Sequence, residues 1–215
     1  MKRTLFAIVF ASAFALRCTT GSIPDDRCLA MLQGRVREIV PSGNGEMMRF
    51  DTIGRLVYSA EVDENLNATG NETNFIYFPM EDGREERIEM ISRNDKLVNR
   101  RRCAVTRTRK GVEMRYFKIR VRTDERIFTD MVRTVDMQGG KAVCQQDTDR
   151  TVIQYYYLAG NRLPYKSEAT DTLGRVTVTE YEYPDIDSLG NWLTRLSLRN
   201  DGHPVLESRM IRYYK

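Results

Sequence analysis

One histidine, His203, is all the sequence offers for imidazole chemistry, and it stands between Gly202 and Pro204 in a turn-forming stretch. A Ser-His-Asp hydrolase would have to use it, yet no Gly-x-Ser-x-Gly elbow accompanies it, so it reads as a surface turn residue. The four cysteines, Cys18, Cys28, Cys103 and Cys144, never show Cys-x-x-Cys spacing, which argues against zinc and thioredoxin-like sites. "DIDSLG" at 185–190 opens like a calcium loop, but Leu189 takes the fifth position, where an oxygen is needed, and Leu196 the twelfth. Neither a metal nor a cofactor is expected. Apart from the N-terminal residues, no window of helical length shows apolar 3-4-3 spacing. Nor does any apolar run reach the about 20 residues that span a bilayer.

What the N-terminus does contain is Lys2 and Arg3, twelve uncharged residues from Leu5 to Leu16, and small-residue frames at Ala11-Ser12-Ala13 and Ala13-Phe14-Ala15. That pattern predicts a secretory signal over 1–17 and an exported protein. Two forms of processing stay open. Cleavage near Ala13 or Ala15 gives a soluble periplasmic or secreted chain. Alternatively Cys18, two residues past the apolar run, resembles the lipidated cysteine of a bacterial lipoprotein, although Arg17 replaces the small residue that the lipobox places before it. A membrane is expected as a partner only through that anchor. Removing Lys2 and Arg3 takes two of the formal +4 charges, and a near-neutral mature chain gives no global signal for nucleic acid. Outside the reducing cytoplasm, a Cys103–Cys144 bridge is expected.

Residues 18–27 are small and polar, a tether or a loop leading into the fold, and 28–215 are expected to form a single domain. Along that domain turn signals recur at intervals of 12 to 20 residues, from Gly34 to Gly202, separated by short runs rich in Val, Ile, Thr, Tyr and Phe. The frames "DTIGR" (51–55), "DTLGR" (171–175) and "DSLGN" (187–191) repeat one turn. In each the aspartate, Asp51, Asp171 or Asp187, can accept bonds from amides ahead of it. The glycine, Gly54, Gly174 or Gly190, can supply the positive φ that closes a hairpin. The fold predicted is all-β, an antiparallel meander of ten to twelve strands joined as consecutive hairpins. An open or curled sheet, a barrel and a sandwich all remain compatible with it. Two strands carry further detail. In "GVEMRYFKIRVR" the apolar parity shifts after Tyr116, as at a bulge. In the strand after Gly190, Trp192, Thr194, Leu196 and Leu198 alternate with Arg195, Ser197 and Arg199.

The repeated turns, with tyrosines ahead of them at 155–157, 181 and 183, resemble the YD-repeat (Rhs-like) hairpin units of bacterial cell-surface proteins. "YYLAGNRL", "DTLGRV" and "DSLGNW" carry the likeness over about 155–196, with a further copy at 50–57. The resemblance implies an extended β-scaffold at the cell surface and no particular chemistry.

The strongest local charge anomaly runs from Asn99 to Arg126, where eleven Lys and Arg face three carboxylates. Lys118, Arg120 and Arg122 alternate with Phe117, Ile119 and Val121, lining one face of a strand. Such a face could hold a polyanion such as an acidic glycan or lipopolysaccharide, or simply keep a sheet edge solvated. Glu180 and Glu182 share a face opposite Tyr181 and Tyr183, as a solvated face opposite a packed one would. No catalytic residue is assigned. The function expected is a non-catalytic envelope or surface scaffold that binds a glycan or another protein, the alternative being a secreted hydrolase using strand carboxylates.

Overall fold

The computed structural model describes residues 25–80, 84–119, 126–136, 141–146, 149–158, 161–200 and 202–215. A four-residue helix, α1 (Asp26–Leu29), precedes fourteen strands. The first seven are β1 (Val36–Pro41), β2 (Gly45–Phe50), β3 (Leu56–Val62), β4 (Ala68–Pro79), β5 (Glu85–Arg93), β6 (Lys96–Thr108) and β7 (Gly111–Ile119). They are followed by β8 (Arg126–Asp136), β9 (Lys141–Gln146), β10 (Asp149–Tyr157), β11 (Pro164–Thr170), β12 (Val176–Ile186), β13 (Trp192–Arg199) and β14 (Val205–Tyr213). Every strand pairs antiparallel with its neighbours in sequence, as the meander expectation requires. β1 pairs with β2 (Ile39 opposite Met48) and also with β14 (Ile39 opposite Ile211), so the meander closes into a barrel.

The repeated frame builds the hairpins as its chemistry dictates. Asp51 Oδ1 accepts from the Ile53 and Arg55 amides at 3.0 and 2.8 Å. The Gly54 amide reaches the Asp51 carbonyl at 3.1 Å, and Gly54 has φ of 93°. The same bonds recur around Asp171, with Gly174 at φ 76°, and around Asp187, with Gly190 at φ 86°. This is a type I turn followed by a left-handed residue, the usual three-residue hairpin loop. A fourth copy had no glycine to announce it. In "DENLN" (63–67) Asp63 accepts from the Asn65 and Asn67 amides at 2.8 and 2.9 Å, and Leu66 takes the left-handed position at φ 64°.

Alternation along each strand separates a lumenal face from an outward one. Register carries the lumenal face across β2 to β6 through Met48, Ser59, Thr73, Ile91 and Asn99. Ion pairs cross the outward face: Glu38 accepts from Arg49 at 2.8 Å and from Arg212 at 2.6 Å, and Lys166 meets Glu168 at 2.8 Å. A lipid-facing barrel carries an apolar band there. No helix among the described residues is long and apolar enough to cross a membrane. The parity shift in β7 is a bulge against β8 between Arg115 and Phe117. In β13 the polar set faces the lumen: Ser197 is buried opposite Tyr181, and Leu196 and Leu198 lie opposite Glu182 and Glu180. Trp192 leaves its expected face, because the register shifts beside Ile186, and stacks with Arg195 instead of lying opposite it.

Of the segment 18–27, expected as a tether or entry loop, residues 25–27 are described: Asp25 pairs with Arg27 at 2.6 Å and Asp26 is buried in the barrel. One sequence expectation needs correction. Cys103 is a buried free thiol, so no Cys103–Cys144 bridge forms; β7 and β8 lie between the strands that carry the two residues. Burial pushes the Cys103 thiol up to about 12, which leaves it unreactive toward exchange.

The turns make a graded set. A Cβ at Gly174 would meet nothing within 4 Å, whereas one at Gly54 would collide with the paired Asp25 and Arg27 side chains. Gly174→Ala is therefore expected to cost about 1 kcal/mol, the left-handed penalty alone. Gly54→Ala should cost more, and Leu66→Gly should gain up to about 1 kcal/mol by relieving the same penalty. Urea unfolding of the three variants would show that order; a Leu66→Gly chain less stable than the parent would contradict it.

Candidate functional site: the lumen of the barrel

Up-and-down connectivity puts the turns at 51–55 and 187–191, the Met80–Arg84 backbone bond and the N-terminal segment at one end of the barrel, here called the base. The N-terminal segment closes part of it. The Asp26 amide donates to the Gly54 carbonyl at 3.1 Å, and Leu32 packs with Val36, Ile39 and Phe50. Across the base, Asn191 is fully buried and clasps Gln33, its Oδ1 accepting from the Gln33 amide at 2.6 Å and its Nδ2 donating to the Gln33 carbonyl at 3.1 Å.

Asp26 is the anchor. Its carboxylate accepts from Arg107 at 2.6 Å, the Tyr77 hydroxyl at 2.6 Å and the Leu56 amide at 2.8 Å. Arg107 also reaches Glu85 at 3.3 Å, and Glu85 pairs with Arg55. Burial works against ionisation of Asp26, but the Arg107 charge and these donors outweigh it and hold the carboxyl below its ordinary range.

Above the base the lumen holds arginines stacked on aromatic rings. Arg87 lies over Phe75, 5.1 Å from the ring centre, and donates to Glu89 at 2.6 Å and to the Tyr116 hydroxyl at 2.8 Å. Arg87 and Glu89 are both 6 % exposed. On the far wall Arg209 and Arg195 flank Trp192 at 3.5 and 4.6 Å, and Arg195 pairs with Glu207 at 2.6 Å. Arg209 donates to the Trp192 carbonyl at 2.9 Å; burial and then Arg195 push it down to about 9, against the opposing pull of Asp187 and Glu207, and it is still protonated at neutral pH.

Two spaces open among these groups. One, of about 320 Å³, lies among β2 to β8 above α1. The other, a cleft of about 650 Å³ at the base on the opposite side, is lined by Tyr165, Tyr181, Tyr183, Arg162 and Asn161 and bounded by the 187–191 turn. The Tyr181 and Tyr183 rings stack at 6.4 Å. Their hydroxyls are fixed, Tyr181 against Ser167 at 2.8 Å and Tyr183 against the Pro164 carbonyl at 2.7 Å.

Sequence reading places several of its candidates elsewhere. Asp51, Gly54, Asp171, Gly174, Asp187 and Gly190 are turn residues, as expected. Asp187 spends its oxygens on turn amides, Asn191 and Tyr213. Glu180 and Glu182 are exposed on the outward face and do not line the cleft, and His203 is exposed in the β13–β14 turn. Cys18 and the side chains of Lys118, Arg120, Arg122 and Cys144 lie outside the described residues. Asp26, Arg87, Arg107 and Arg209 escaped notice because a charge alternating with apolar residues reads as a solvated face; only closure of the sheet turns that face inward.

Comparison with known protein families, with curated proteins and with solved structures finds no match.

Replacing Asp26 with Asn would leave Arg107 with Glu85 as its remaining carboxylate, at a cost of up to about 3–5 kcal/mol. Because the folded carboxyl is depressed, its stabilisation is fully present above the unfolded value near 3.8 and is lost as pH falls through the lower folded value. Urea titrations should show wild-type stability falling below about pH 4, and a shallower fall for Asp26→Asn. Identical acid slopes would exclude this carboxylate as a source of the pH dependence.

Proposed function

We propose that the protein is an exported, non-catalytic β-barrel of the cell envelope that binds glycan in the tyrosine-lined cleft at its base. The observation that carries this reading is the cleft itself. Tyr165, Tyr181 and Tyr183 line it together with Leu158, Leu163, Ile186 and Leu189, while Arg162 and Asn161 supply polar groups, a mixture suited to a sugar's C–H surfaces and hydroxyls. A mostly apolar concavity with a few convergent polar groups is the usual form of a small-molecule site. Two of the tyrosines are held by hydrogen bonds before any ligand arrives, so little ordering is left to oppose binding. The signal-like residues 1–17 and the resemblance of 155–196 to YD-repeat hairpins support the envelope assignment.

Calorimetric titration with soluble peptidoglycan fragments tests the cleft. Binding should weaken at least tenfold, about 1.4 kcal/mol, in Tyr181→Ala and Tyr183→Ala. Undiminished binding in both variants would remove the cleft from the account, and release of new reducing ends would favour the hydrolase alternative.

Export has its own measurement, the mass of the mature N-terminus. A diacylglyceryl-modified Cys18 is expected for an anchored protein, and a free Phe14 or Leu16 for a soluble one. Retention of Met1 in an exported pool would refute both forms of processing.

A further inference from the structure

The second space, among β2 to β8, is chemically unlike the tyrosine cleft. Its floor is the N-terminal segment, through Ala30 and Asp26, and the Asp26 charge is already met by Arg107. Met48, Phe50, Leu56, Phe75 and Met114 make apolar walls, and Ser59 and Thr73 are small. Cations enter the same lining: Arg87 lies opposite Tyr77, Arg133 opposite Met114, and Arg101 opposite Glu89; the described carboxylates beside them are Glu89, already paired with Arg87, and Glu46.

Size and charge both narrow the occupant. The lining runs from Phe50 and Leu56 across the lumen to Arg87 and Arg101, and the space measures about 320 Å³. At about 30 Å³ per methylene-sized group it accommodates roughly ten carbons. Within it, Arg87 is 6 % exposed, yet its Nε has no hydrogen-bond partner among the described residues. A buried charged donor left unsatisfied is costly, and a carboxylate oxygen is the acceptor that best answers it.

We propose that this space binds a medium-chain aliphatic monocarboxylate, its tail among Met48, Phe50, Leu56, Phe75 and Met114 and its head group on Arg87 and Arg101. The site is independent of the glycan cleft and shares no lining residue with it.

Calorimetry on the full chain with decanoate, decanol and decyltrimethylammonium tests the assignment, each below its micellar concentration. Decanoate should bind at one per chain, decanol at least tenfold more weakly, and the cation not measurably. Arg101→Gln should weaken decanoate at least fivefold and leave decanol unchanged. Thr73→Trp, which fills the space, should abolish both while circular dichroism shows an intact β-fold and peptidoglycan-fragment binding at the cleft is unchanged. Equal affinity for decanoate and decanol, no saturable decanoate binding, or full binding in a folded Thr73→Trp chain would each overturn the proposal. Arg87→Gln gives a second reading wherever it folds: decanoate affinity should fall with decanol affinity unmoved, and an unchanged decanoate affinity counts against the site.

Discussion

Pairing of the first strand with the last is the constraint on which the rest depends. Every other pairing in the sheet joins neighbours in sequence and is closed by a short connection, so its loop entropy is small. The seam between β1 and β14 instead joins residues far apart in the chain, as in Glu38 with Arg212, 174 positions away. Glu38 holds the seam from outside by taking Arg49 on one flank and Arg212 on the other, and burial of its carboxylate is offset by these two cations. At the lower end the Tyr214 amide bonds to the Arg35 carbonyl at 2.8 Å. Without the seam, β1 and β14 would be open edges of a long flat sheet, the form most prone to pair with other chains.

Closure also creates the lumen and its electrostatic problem. Charged side chains that would be solvated on an open sheet are turned inward, where each must find a partner or bear the cost of desolvation. Three solutions appear. Asp26, Arg107, Glu85 and Arg55 neutralise one another in a chain; Arg87 and Glu89 pair along one strand; Arg195 and Arg209 spread their charge over Trp192, with Glu207 serving Arg195. Guanidinium suits this work because it stacks on rings and is weakly hydrated compared with an ammonium. The lumenal cations described here are arginines, and the described Lys166 faces outward.

Much of the architecture was legible in the sequence because it is local. A hairpin needs an aspartate, a left-handed residue and strand formers within five positions, and Asp51, Asp171 and Asp187 announce three of them outright. The fourth, at Asp63, went unread because Leu66 holds a position that glycine usually marks, with the aspartate's own bonds compensating for the strain. The bulge after Tyr116 could be read from a parity break. The sites could not. Which face of β13 looks inward, and whether Arg87 is solvated or buried, depends on β1 meeting β14, and no window of sequence contains both. Cys103 failed for the same reason: two cysteines in an oxidising compartment suggest a bridge, but the strand order sets β7 and β8 between them.

The clasp of Asp26, Gln33 and Asn191 fixes an orientation as well as a fold. Because the chain enters the barrel at its base, whatever holds it upstream of Asp25 holds the molecule by that end. Six residues lie between Cys18 and Asp25, so the two can be at most about 25 Å apart when the chain is fully extended. A barrel tethered there would stand with its base toward the surface that anchors it and the β13–β14 turn pointing away. The tyrosine cleft opens at the base, so it would look into the layer directly above that surface, sampling what lies close to the anchor and little of what diffuses past the other end.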